Sequence, residues 1–393
     1  MKPEYLPGNR VTLLTTGREY FPALIEAIDG AVAEVHFETY IFADDDAGRA
    51  VAAALARAAK RGVAVRVLVD GFGAREFSAG LGARLAADGA EVLVYRPEIA
   101  RMRLRRHRLR RLHRKLAVID ARVAFVGGIN VIDDWDGADR RIPPRHDYAV
   151  RVEGPLLAHI HHATRHLWQL VSWASLRRRY REPPPSHRVA HDPAPHGGTT
   201  AAFLVRDNLR HRRDIEENYL DAIESAKDEI VLASAYFLPG RRFRHALMGA
   251  AQRGVRVIVL LQGRVEYALL HYATQALHGA LLKAGVRIFE YHASFLHAKV
   301  AVVDGDWATV GSSNIDPFSL LLAREANVAV RDAGFAAGLR ENLTSAMAAS
   351  AREVRAEDLK RRSLPARAAS WLAYSAVRLL IGIAGYGSSD YRG

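Results

Sequence analysis

Two histidines, two lysines and two asparagines recur in this chain at matched spacing. His113 and Lys115 lie two apart, four residues separate Lys115 from Asp120, and six more lead to Gly127-Gly-Ile-Asn130. His297, Lys299, Asp304 and Gly311-Ser-Ser-Asn314 repeat these offsets 184 positions further on. Residues of these types, doubled, can move a phosphoryl group from a diester without a metal. Such a transfer needs a nucleophile in line with the leaving oxygen and an acid on the opposite side. It also needs positive charge beside the non-bridging oxygens. Two histidines facing each other across a two-fold axis meet the first two needs, because a pKa near 6.5 allows one neutral and one protonated ring. In the second step the protonated histidine becomes the base that activates the acceptor. Lys115 and Lys299 supply the charge, and Asn130 and Asn314 donate hydrogen bonds to the same oxygens. Asp120 and Asp304 close each copy of the catalytic motif. Asp120 follows an apolar run and is expected to pair structurally.

These side chains need strands behind them. Leu116–Ile119 and Val300–Val303 are short continuous apolar runs, as suits strands covered on both faces. Alternation then points the histidine and lysine of each copy to one side. Upstream, Val35–Phe42 reads as a strand, Gly48–Lys60 as an Ala-rich helix and Ala64–Asp70 as a strand. Ile230–Leu238, Phe243–Gln252 and Arg256–Leu261 repeat that order. Strand, helix, strand in each half reads as βαβ units. The repeat predicts two similar α/β lobes about a pseudo-two-fold axis, with mixed or parallel sheets flanked by helices. The lobes span 1–180 and 201–350, joined by a Pro- and Gly-rich connector at 181–200. The duplication builds the site within one chain, so no oligomer is required.

The chain has 393 residues, a formal charge of +13 and no cysteine. Zero Cys excludes disulfides, thiolate nucleophiles and Cys-type zinc sites. Residues 1–20 hold no continuous apolar run, so no secretory signal is expected there. The positive charge predicts attraction to polyanions, either nucleic acid or an anionic membrane. It is concentrated: nine arginines and one acid, Glu98, lie between Arg96 and Arg114. Only the first motif has such a flank. The tail, 351–393, is basic, and 351–367 reads as helical. Trp371, Tyr374, Tyr386 and Leu379–Ile383 suggest an interfacial anchor rather than a span. The tail is expected to be removable without loss of the fold. His159, His162 and His166 share one face of a helix beside His161. An exposed polar face is the expectation there, and no metal is required.

The paired motifs with trailing Gly-Gly/Ser-x-Asn resemble the phospholipase D superfamily over roughly residues 8 to 345. Glu38–Asp44, Val69–Gly73, Asp147–Pro155 and Ser313–Ser319 look in detail like the bacterial cardiolipin synthases that lack N-terminal membrane helices. The resemblance implies a phosphohistidine intermediate, with His113 as nucleophile and His297 as acid and base. It also implies that Asp147 and Glu325 each orient a histidine ring. Gly128 stands where the second copy has Ser312, so any hydroxyl contribution is one-sided. The implied activity is phosphatidyl transfer to phosphatidylglycerol, giving cardiolipin without a cofactor. The implied setting is the cytoplasmic side of the cell membrane, with the protein peripheral on anionic phospholipid. Hydrolysis to phosphatidic acid and nucleic-acid cleavage remain open alternatives for the same residues. A nuclease is disfavoured by the apolar tail and the lack of a nucleic-acid module.

Overall fold

Apolar runs of period two and Ala-rich runs of period 3.6 alternate along both halves, and each takes the element its period demands. A computed structural model of the chain describes residues 3–97, 110–133, 143–175, 194–207 and 210–383. Arginines 101–108 of the basic run, most of the 181–200 connector and Tyr386 lie outside the described residues.

The first half runs β1 (Leu6–Thr15), α1 (Thr16–Asp29), β2 (Glu34–Thr39), α2 (Asp46–Lys60), β3 (Ala64–Asp70), α3 (Leu81–Ala87) and β4 (Glu91–Tyr95). It continues with β5 (Lys115–Ile119), β6 (Val123–Gly127), β7 (Tyr148–Glu153) and α4 (Leu157–Ala174). The second half runs β8 (Thr199–Arg206), α5 (Asp214–Ser225), β9 (Glu229–Ser234), α6 (Arg241–Gln252), β10 (Arg256–Gln262), α7 (Ala268–Lys283) and β11 (Arg287–Tyr291). Then come β12 (Lys299–Val303), β13 (Trp307–Gly311), α8 (Pro317–Leu321), β14 (Glu325–Arg331) and α9 (Ala333–Ser350). The chain closes with β15 (Ala351–Val354), α10 (Ala356–Lys360) and α11 (Leu364–Ile383).

The described strands form one mixed sheet of fifteen. Outward from the neighbours β1 and β8, the order is β7-β6-β5-β2-β3-β4 on one side and β14-β13-β12-β9-β10-β11 on the other. The same order therefore leaves the centre twice. The βαβ units place β2, β3 and β4 parallel, and likewise β9, β10 and β11. The motif strands β5 and β12 run antiparallel to β2 and β9.

Burial explains the all-apolar strands. One face of the first half packs on α1, α2 and α3 through Leu24, Ile28, Val51, Leu55 and Leu81. The second half packs on α5, α6, α7 and α11. A third core is shared. Leu116, Val118, Val126 and Val150 of the first half meet Val231, Val300, Val302 and Val328 of the second, with Leu339 and Leu343 of α9. Both faces of β5 and β12 are thus dry, which leaves their ends as the places for polar chemistry.

The tail departs from expectation at its start. Residues 351–354 form β15, antiparallel to β11, rather than a helix. Without β15 the sheet would end in an exposed row of unpaired backbone groups on β11, and the charged Arg352 and Glu353 blunt the new edge. The tail also packs on the body, since Tyr374 and Val377 of α11 are buried in the second-half core. Among the described residues no helix is long and apolar enough to cross a membrane. Ending the chain after Ser350 is therefore expected to destabilise the fold. Burial of two large side chains is lost, about 3 kcal/mol or more, and a lower urea midpoint by circular dichroism would register it. An unchanged midpoint would show the tail to be separable.

Candidate active site

Each histidine sits just before its motif strand, and each is gripped from the other half. The His113 amide donates to the Arg324 carbonyl at 3.0 Å, and the Arg324 amide returns a bond to Arg111 at 2.7 Å. Reciprocally, the His146 amide donates to Phe295 at 2.8 Å and the His297 amide to His146 at 2.8 Å. Two side chains at the ends of β3 and β10 steady these segments. Asp70 accepts from the Leu112 amide at 2.8 Å, and Gln262 accepts from the Leu296 amide at 3.1 Å.

The side chains cross in the same way. Glu325, which follows the second motif, holds Nδ1 of His113 at 3.0 Å. Asp147, which follows the first, holds Nδ1 of His297 at 2.5 Å. A carboxylate on Nδ1 fixes the tautomer and leaves Nε2 for chemistry. Both imidazoles line one cavity of about 510 Å³, together with Asn130 and Asn314. The Gly128/Ser312 difference belongs to this pairing. The Ser312 hydroxyl donates to Glu325 at 2.5 Å, whereas a Cβ on Gly128 would collide with the Asp147 carboxylate. The second copy has a hydroxyl to steady its carboxylate, and in the first the Asp147 carboxylate itself fills the space a side chain would take.

The lysines lie behind the histidines. Lys115 donates to the His113 carbonyl at 2.6 Å. The Lys299 ammonium is 2.8 Å from Nδ1 of His297 and also donates to the His297 carbonyl. Both are buried. Burial lowers Lys115 to about 7 and Lys299 to about 8. Burial lowers His113 against the pull of Glu325, and burial with the nearby cations holds His297 well below its usual value. The site without substrate therefore keeps its protons scarce. A phosphodiester anion would reverse this by favouring the charged forms of all four bases.

Asp120 and Asp304 are not in the cavity. Asp120 accepts the amides of Val32, Ala33 and Glu34 at 2.8 to 2.9 Å, at the start of β2. Asp304 does the same for Lys227, Asp228 and Glu229 before β9, at 2.8 to 3.0 Å. Placing them in the catalytic set is corrected: four apolar strand residues carry each aspartate to the far end of its strand. Each ties its motif strand to its antiparallel neighbour, β2 or β9.

Sequence reasoning missed several residues in the cavity wall. Tyr40 packs on His113 with ring centroids 4.9 Å apart, and no aromatic of the second half holds that place on His297 among the described contacts. Arg111, Arg145, Tyr236, Glu266 and Asp316 also line the cavity. Asp316 is pushed up to about 6 by burial while capping α8 through the Phe318 and Ser319 amides. Only contacts between distant segments single these residues out.

The α4 histidines divide. His162 and His166 are exposed and stacked, as a solvated face would be. His161 is buried, with Nε2 2.7 Å from Glu34, and His36 adds a third potential metal donor. The Arg66 guanidinium lies 3.3 Å from Glu34 and 3.4 Å from His36. That cation supplies the charge a metal ion would bring, so these residues fit an ion-pair network that ties α4 to β2 and β3.

The family model described as "Cardiolipin synthase, PLD-like domain" matches residues 24–136 and 219–347. Cardiolipin synthase B of Escherichia coli K12 is 39% identical over 386 residues, covering 98% of this chain and 92% of that one. Cardiolipin synthase A of Pseudomonas putida is 32% identical, covering 90% and 71%. A solved phosphatidylserine synthase from Haemophilus influenzae superposes with a TM-score of 0.73, covering 96% of each chain at 13% identity, and shares the fold. The chain belongs to the family of phospholipase D-like cardiolipin synthases.

The lowered lysines set a pH dependence. Below about pH 7 both ammonium groups are protonated and attract an oxyanion, and above about pH 8 both are neutral. Sulfate, whose own charge is constant there, is expected to bind more weakly as pH rises from 6 to 9, read by calorimetry. Lys115→Gln should flatten that slope, and a slope equal to that of wild type would remove Lys115 from the anion site.

Proposed function

We propose that this chain is a cardiolipin synthase that transfers a phosphatidyl group to phosphatidylglycerol through a phosphohistidine. The observation that carries the reading is the crossed pair of carboxylate–imidazole contacts, which leaves two Nε2 atoms for one cavity. His113 Nε2 attacks phosphorus of one glycerophospholipid. The P–O bond to the headgroup breaks, and His297 protonates the departing alkoxide. A phosphatidylglycerol hydroxyl then gives its proton to His297 and attacks phosphorus, and the P–N bond breaks. Cardiolipin leaves, with glycerol as the first product when the donor is also phosphatidylglycerol.

Charge compensation comes from Lys115 and Lys299, placed beneath the histidines, and hydrogen bonds come from Asn130 and Asn314. Asn130 already uses its side-chain oxygen to accept from the Ile41 amide at 3.2 Å, so its amide hydrogens remain for a phosphate oxygen. Glu325 and Asp147 stabilise whichever imidazolium forms. Tyr40 on His113 favours that ring as the fixed nucleophile, because its faces are restrained by packing.

A lipid substrate is favoured over nucleic acid by the cavity mouth. Phe72, Tyr267 and Phe318 line the cavity and stand exposed, with Leu269 and Tyr272 nearby. Apolar rims of this kind suit acyl chains, whereas a diester in DNA calls for a polar track. Membrane contact is proposed for α11 as well. Trp371, Leu372, Leu379 and Leu380 are exposed on it, beside Arg367 and Arg378. That combination fits a peripheral protein on anionic lipid at the cytoplasmic face.

Purified protein with phosphatidylglycerol vesicles should form cardiolipin and glycerol, measured by mass spectrometry. His113→Ala should lower the rate by about a thousandfold or more. No cardiolipin from wild type with any phospholipid donor would sink the reading. Replacing Trp371 and Leu372 together by Glu should reduce co-sedimentation with anionic vesicles while the melting temperature stays the same. Undiminished co-sedimentation would mean that α11 is not the contact.

A further inference from the structure

Behind the reaction cavity the second half carries two smaller ones. The first, about 30 Å³, shares Tyr236, Glu266, Tyr267 and Leu270 with the reaction cavity. The next, about 210 Å³, shares Gln275, His278 and Glu290 with the first. The three stand in series from the histidines to the side of α7 that faces α10. The middle one is wide enough for water.

Its wall has unused hydrogen-bonding capacity. His278 is 2% exposed, yet its Nε2 has no hydrogen-bond partner. The side-chain nitrogen of Gln262 is likewise buried and unpartnered. Leaving such groups unsatisfied costs roughly 1–3 kcal/mol each, so they point to an occupant. Gln262 is also the residue whose oxygen holds the Leu296 amide, one position before His297.

The occupant's chemistry follows from the charges. Arg352 pairs with Asp358 at 3.0 Å, Arg362 donates to Gln275, and Glu290 lies 3.8 Å from His292. Arg352 and Asp358 thus pair with each other, and Arg362 has the neutral amide oxygen of Gln275 as a partner. His278 is lowered to about 4 by burial, so it is neutral at pH 7 and offers one donor or one acceptor. Two neutral groups that match hydroxyls, His278 and Gln262, face the same cavity and suit a small uncharged polyol.

We propose that this side passage binds a small polyol of the glycerol class, admitting it to or releasing it from the reaction cavity, with His278 as its recognition residue. The inference rests on the cardiolipin-synthase reading, in which glycerol is released as the phosphohistidine forms. Run in reverse, a glycerol hydroxyl gives its proton to His297 and attacks phosphorus, the P–N bond breaks, and phosphatidylglycerol forms.

Full-length protein in phosphatidylglycerol vesicles, given labelled glycerol, should place label in phosphatidylglycerol. His278→Phe, which fills the passage, should raise the KM for glycerol about tenfold, the worth of one hydrogen bond. Its KM for phosphatidylglycerol in cardiolipin formation should stay near wild type, and His278→Gln should restore the glycerol KM. An unchanged glycerol KM, or an equal fall in both reactions, overturns the proposal. His278→Leu replaces the Phe variant if that fails to fold. Binding is read separately, without turnover, by saturation-transfer NMR of glycerol on the His113→Ala protein. A glycerol signal that His278→Phe abolishes supports the passage. No signal, a signal that persists, or a stronger one from ethanolamine refutes a polyol site. If wild type makes no cardiolipin, the functional reading fails while this binding measurement still decides the passage.

Discussion

The structure depends on one reciprocal constraint: neither half can complete its own histidine. His113 needs the carboxylate of Glu325 and the carbonyl of Arg324, and His297 needs Asp147 and the carbonyl of His146. The bonds cross the shared core, so halves that shifted by one residue would lose both imidazole clamps together. Tight packing of Val118, Val126 and Val150 against Val300, Val302 and Val328 makes such a shift expensive. Rigid strands behind the site and crossed bonds at its floor give the preorganisation that phosphoryl transfer requires.

That grip also explains the buried charge. Two lysines, two histidines and two carboxylates lie within one largely dry floor. Full ionisation would be costly without partners, and burial answers by lowering the bases and raising Asp147. The site is thereby poised for an anion. A phosphodiester brings the charge that lets the lysines and one histidine take up protons, so substrate binding and acid formation are linked.

The two halves repeat in order but differ where they meet substrate. Asp147 with Gly128 is the short version of a carboxylate clamp, and Glu325 with Ser312 the long one. Among the described residues Tyr40 packs on His113, and the two side cavities are lined by the second half. A symmetric frame thus carries an asymmetric pathway, as a two-step transfer with fixed roles would need.

Much was legible in the residues alone. Largely apolar runs marked β3, β5, β10 and β12 to within a residue or so, because strands dry on both faces leave a nearly unbroken apolar signature. The doubled spacing picked out His113, His297, Asn130 and Asn314, since short-range geometry within a strand and its turn is set by sequence offset. Asp120 and Asp304 shared that spacing yet serve as ties for β2 and β9, and offset alone cannot tell the two ends of a strand apart by role. The strand at 351–354 was hidden, because its polar composition becomes a strand only beside an open β11 edge. Which carboxylate serves which histidine was decided by tertiary structure alone. Asp147 and Glu325 are local to one motif in sequence, and only the packing of one half against the other hands each to the opposite histidine.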